Sequence, residues 1–164
     1  MDAKVEELKR MAEQSRERLH ELIDIRYDEF INMLETGQPV KSTERIPMYL
    51  TNNSIFFKGE KPEEIIFSDE KAVPVKTWRK AAAVMLAECN NEKHNKLAYL
   101  VGKVFGRQRA ILAKTPDNMN IPIKVDEEIY FEGFFSTETL LDVLKKNIFN
   151  AVGYDYSGIR IRLR

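Results

Sequence analysis

The chain has 164 residues, of which 43% are hydrophobic and 32% charged, and its 26 basic side chains balance its 26 acidic ones. That length allows one domain plus an appendage, and the apolar fraction suffices for a core. The neutral balance excludes the strongly basic make-up of a dedicated DNA-binding domain, and no apolar run approaches the ~18 residues of a membrane span.

The charge is unevenly spread. Residues 1–36 carry ten acids and six bases, so they are at −4 and the remainder is at +4. From Asp2 to about Glu35 there is no proline or glycine, and good helix formers dominate. Val5, Leu8, Ala12, Leu19 and Leu22 fall three and four apart, with Ser15 at the missing step, which is the seam of a coiled coil. After Leu22 the stripe slips by one residue to Ile23, Tyr27, Phe30 and Leu34, which loosens a heptad supercoil. The pattern predicts a helix over 1–36 that either self-associates, giving a homodimer, or packs along its own globular domain. Gly37 is a natural C-cap, and Pro39 and Pro47 make 37–47 a linker.

Residues 48–164 read as one α+β domain. Ser54–Lys58 is a β-prone run ended by Gly59. Glu64–Phe67 and Ala72–Val75 flank the polar turn Ser68–Lys71 and predict a hairpin, with Pro74 confining the second arm to an edge. Thr77 is a candidate N-cap for a helix whose apolar face runs through Trp78, Ala82, Met85, Leu86 and Cys89, with Trp78 as a core anchor. A second helix from about Glu92 shows Leu97, Leu100, Val101, Val104 and Phe105. Strands are expected at Arg109–Ala113, Ile121–Val125 and Glu128–Phe131. Ser136 caps a last helix lined by Leu140, Leu141, Leu144, Ile148 and Val152 and ended by Gly153. Ile159–Arg164 alternates apolar and basic residues as a half-buried strand does.

Catalytic chemistry has no motif here. His20 and His94 lie on separate predicted helices without ligand-spaced cysteines or carboxylates, so surface histidines are expected and no metal. Cys89 is the one cysteine, which leaves no partner for an internal disulfide, and its apolar setting predicts a buried thiol. Gly102 and Gly106 lack the Lys-Ser/Thr of a phosphate loop. Glu127, Glu128 and Glu132 have no nucleophile beside them and read as a solvated sheet face. No cofactor is expected. With no basic segment before an apolar run, no signal peptide is expected either, and the location expected is cytoplasmic.

The basic residues carry more information. Arg160, Arg162 and Arg164 should project together from one strand face, and Lys103, Arg107, Arg109 and Lys114 cluster after the second helix. Guanidinium forks bind phosphate or carboxylate bidentately, so these seven residues are candidates for contact with nucleic acid or an acidic protein. The bland reading is a solubilising face. Lys145 and Lys146, late in the last helix, read as favourable dipole charges.

Several runs together resemble a known group: Phe57-Lys58-Gly59, Trp78 opening a helix, Gly102–Arg107, Thr115–Met119, Pro122–Val125, Tyr130–Leu141 and Val152–Ile161. Over about 46–164 the chain is similar to a poorly characterised family of small proteins from phages, plasmids and integrated elements of Gram-positive bacteria. Its members often pair such a domain with an N-terminal coiled-coil helix. The resemblance implies a mobile-element setting and brings no activity or site residue. The function expected is that of a non-enzymatic, self-associating interaction protein for nucleic acid or a nucleoprotein complex, with a regulator or inhibitor of a host-defence nuclease as the role that analogy alone suggests. The alternatives are a purely protein-binding scaffold or inhibitor acting through the acidic helix, and an enzyme of unrecognised type, which would need a deep polar pocket.

Overall fold

A computed structural model describes residues 3–37, 45–103 and 110–164. The chain divides at residues 44/45 into two units. The first is α1, Ala3–Thr36, a single helix of 34 residues and roughly 50 Å. Gly37 ends it in a left-handed conformation, with its N–H donated to the Met33 carbonyl, as the sequence leads one to expect. Most of the expected linker lies outside the described residues.

The second unit is an α+β domain with two antiparallel sheets. The larger is ordered β1-β7-β2-β3, with β1 at Met48–Tyr49, β2 at Pro62–Ile66, β3 at Ala72–Pro74 and β7 at Arg160–Leu163. The smaller is ordered β4-β6-β5, with β4 at Leu112–Ala113, β5 at Pro122–Lys124 and β6 at Tyr130–Glu132. The expected hairpin forms between β2 and β3. Its turn holds Glu70 at φ +64°, and the Asp69 carboxylate accepts the Lys71 N–H. β3, the arm with Pro74, is an edge strand.

The helix α2, Trp78–Leu100, starts at Thr77, whose side chain accepts the Lys80 N–H. The two helices expected here are one element with a kink at Lys93, where φ is −128° and ψ 29°. Ala81, Ala82, Met85, Leu86, Cys89 and Leu97 face the core. Trp78 is half-buried, not a full core residue. Its ring meets Phe57 edge-on at 5.6 Å, and its indole N–H donates to the Glu60 carbonyl at 2.7 Å.

Two expected strands are different in fact. Ser54–Phe57 is a short 3₁₀ helix, because the Asn53 side chain accepts the Ile55 N–H and caps it. The expected Glu128–Phe131 strand begins only at Tyr130. Asp126 accepts the Glu128 N–H, and Val125 donates to Ile129, so those residues close the β5–β6 turn.

The last helix is continuous from Thr137 to Val152, but its middle is not α-helical. α3, Thr137–Asp142, passes into a π-helical stretch, Val143–Phe149, and then into α4, Asn150–Val152. The buried residues explain why. They come as Leu140 with Leu141, Leu144 with Lys145, and Ile148 with Phe149, then Val152, recurring every four residues. In a straight α-helix a four-residue repeat drifts by about 40° per step, so three steps turn the stripe by roughly 120° off the core. The wider π turn, with its i→i+5 bonds, takes up that drift. The helix closes on Gly153 in a left-handed conformation. Tyr154 donates back to the Phe149 carbonyl and Gly153 to Asn150, and the Phe149 and Tyr154 rings meet at a tilt of 59°, 5.1 Å between centres.

Candidate functional site

The C-terminal strand alternates as expected: Ile159, Ile161 and Leu163 are buried, and Arg160 and Arg162 are on the opposite face. β7 lies between β1 and β2, so its arginines meet side chains from the β2–β3 hairpin. Arg162 Nε donates to Glu64 Oε2 at 3.2 Å. Arg160 Nη2 donates to both oxygens of Glu70, at 2.5 and 2.6 Å. Arg164 is exposed and donates to the Lys76 carbonyl at 3.2 Å. The arginine row is therefore largely neutralised by carboxylates of the same sheet.

Of the second basic group, Arg107 and Arg109 lie outside the described residues. Lys103 is exposed, with its ammonium 3.4 Å from the centre of the Tyr99 ring, which is itself 73% exposed. Lys114 is exposed beside β4.

The seam residues of α1 are open. Val5, Leu8, Leu19, Ile23, Tyr27, Phe30 and Leu34 are between 41% and 63% exposed. Ala12 is exposed too, and Leu22 is half-buried. Ser15 turns its hydroxyl back to the Met11 carbonyl at 2.9 Å.

A third feature was hidden from sequence reading. A cavity of about 400 Å³ lies where the 51–54 segment meets the π-helical stretch. One wall is Thr51, Asn52, Asn53 and Ser54; the other is Asp142, Lys145, Lys146 and Asn150, with Tyr156 at the edge. Lys145 is buried, against the expectation of a solvated dipole charge, because the π turn brings position 145 round to the inner face. Its ammonium donates to the Asn52 carbonyl at 2.9 Å and stands 3.9 Å from Asp142. Asp142 accepts from Lys146 at 2.7 Å and from the Ser54 hydroxyl at 2.5 Å. Those two hydrogen bonds hold the Asp142 carboxyl below the usual carboxylate range. Burial pushes Lys145 below the ordinary lysine value, with Asp142 opposing. Burial also raises Tyr156, against a hydrogen bond with Asn150.

The expected solvated face at Glu132 is not solvated. Its carboxylate is buried and accepts the backbone N–H groups of Asn120, Ile121 and Phe134 at 2.8, 3.0 and 2.9 Å. It ties the segment before β5 to the end of β6. Cys89 is fully buried, and desolvation together with Glu92 pushes its thiol up to about 12. His20 and His94 are exposed. Among the described residues, no group of His, Cys, Asp and Glu is placed to hold a metal ion, and no helix is long and apolar enough to cross a membrane.

No family model, curated protein or solved structure matches the chain.

Proposed function

We propose that this protein is a non-enzymatic interaction protein that self-associates through α1 and presents its α+β domain to a macromolecular partner. The open apolar seam of α1 carries the reading. A 34-residue helix with a narrow apolar stripe and charged flanks gains its stability from a partner surface. The occupant we assign is a second copy of α1, running antiparallel. Residues 1–18 hold five acids and five bases, whereas 19–36 hold five acids and one base. A parallel pair sets two −4 segments side by side; an antiparallel pair sets each against a neutral half. Light scattering tests it. Replacing Leu8, Leu19 and Leu22 together by glutamine should halve the mass and leave the domain folded, and an unchanged mass refutes it.

For the partner we retain nucleic acid or a nucleoprotein complex, in the mobile-element setting that the sequence resemblance implies. The support is three exposed basic residues, Lys103, Lys114 and Arg164, with the exposed Tyr99 ring lying under the Lys103 ammonium, which a base would have to displace in order to stack on that face. The paired Arg160 and Arg162 contribute less, since phosphate has to displace Glu70 and Glu64. Binding to a single-stranded oligonucleotide should weaken steeply with salt. A salt-insensitive partner favours the rival reading, a protein held by the acidic half of α1.

A further inference from the structure

We propose that the cavity between the 51–54 segment and the π-helical stretch binds a small polar molecule through an oxyanion, phosphoryl or carboxylate. This is separate from self-association and from the exposed Lys103 and Lys114.

Size and polarity come first. About 400 Å³ lies in the range of small-molecule sites. Hydroxyls and amides of Thr51, Asn53, Asn150 and Tyr156 line it, which suits a ligand rich in hydrogen-bonding groups.

Charge then sets the sign. Two ammonium groups face one carboxylate, which leaves the cleft at +1. Both Asp142 oxygens are engaged, one by Ser54 and the other by Lys146, so a cation entering the cleft meets two lysines and an occupied acid. An anion meets the reverse.

Lys145 is the third argument. Burying an ammonium is costly unless it is paired and hydrogen-bonded. The side chain has three N–H donors; it donates to the Asn52 carbonyl at 2.9 Å, and the Asp142 carboxylate stands 3.9 Å away. An oxyanion in the cleft offers this ammonium a further, charged acceptor. The π-helical turn makes this arrangement: it brings Lys145 inward while its neighbour Lys146 stays at the rim, so two cations approach one volume from adjacent positions.

The test is a ¹H–¹⁵N NMR titration of the full chain with inorganic phosphate and with acetate, each against chloride at equal ionic strength. Saturable shifts at the amides of Asn52, Ser54, Lys146 and Asn150 are expected with phosphate or acetate and not with chloride. The tighter of the two assigns the group as phosphoryl or carboxylate. Lys145→Met should weaken binding at least tenfold. Lys146→Gln, at an exposed position, should weaken it several-fold and serves if Lys145→Met does not fold. Shifts that fail to saturate, that chloride reproduces, that centre on Lys103 and Lys114, or that survive Lys146→Gln unchanged overturn the proposal.

Discussion

Arg162 and Glu64 stand directly opposite each other across the β2–β7 ladder, with the arginine Nε 3.2 Å from the carboxylate. Opposite charges at such cross-strand positions contribute roughly 0.2–1 kcal/mol. A double-mutant cycle of Arg162→Gln and Glu64→Gln should give a coupling of about 0.5 kcal/mol in urea unfolding. With Glu64→Gln and Glu70→Gln combined, oligonucleotide binding should tighten, because phosphate no longer has to displace a carboxylate from Arg162 and Arg160. Unchanged binding would mean that these two arginines are not contact residues.

Glu132 is held by three backbone donors in a buried position. Glu132→Gln keeps the shape but removes the charge and turns an amide donor toward those N–H groups. Hydrogen bonds to charged groups are worth ~1.5–3 kcal/mol each, so a loss of roughly 2–4 kcal/mol is expected by chemical denaturation. A loss below about 1 kcal/mol would show that solvent replaces the carboxylate.

Gly158 passes so close to the β2–β3 turn that an added Cβ would come within 2.8 Å of Ser68 Cβ and nearer still to its hydroxyl. Gly158→Ala should therefore destabilise by about 1–3 kcal/mol, as overpacking does. Ser68→Gly should recover most of that loss in the double variant. If the double variant is as unstable as Gly158→Ala, the contact is not the cause.

Stability should depend on pH through the cleft. Lys145 titrates below its ordinary value of 10.5 when folded, so between the folded and unfolded values the unfolded chain binds more protons. Stability then rises with pH across that window, and the full cost of burying the charge is felt below it. Asp142 works the other way at the acid end. Its carboxyl is held below 3.8, so its contribution is present above 3.8 and is lost as pH falls through the folded value. Denaturant midpoints measured against pH should lose the alkaline rise in Lys145→Met and part of the acid fall in Asp142→Asn. Parallel curves for variant and parent would contradict both assignments.

The antiparallel pairing of α1 can be checked by oxidation. Cys89 is buried with its thiol raised to about 12, so it stays silent in the native protein at neutral pH. Leu19→Cys, near the middle of α1, should form a disulfide-linked dimer. Leu8→Cys, near one end, should not cross-link to itself. Efficient cross-linking of Leu8→Cys would establish a parallel pair.

What could be read in advance from the residues was local. The cap at Thr77, the left-handed ends at Gly37 and Gly153, the β2–β3 hairpin and the inward set Ile159, Ile161 and Leu163 each depend on residues within a few positions of one another. The alternation even told which face of the last strand is buried. It was silent on what covers the other face, because that depends on which strands flank β7. Both Glu64 and Glu70 are some ninety or more residues away in the chain.

The same limit applies to the cleft and to Glu132. A carboxylate beside Tyr130 looks solvated until the 120–121 backbone closes over it. A lysine at position 145 looks like a dipole charge on any α-helical wheel. It turns inward only because the core repeats every four residues here and the helix widens to follow it, which a periodicity of 3.6 does not anticipate. Sequence determined the caps, the hairpin and the buried face of the last strand through short-range hydrogen bonding and chain stiffness. Tertiary structure alone decided which charges are paired, buried or gathered round a cavity, because those are contacts between residues far apart along the chain.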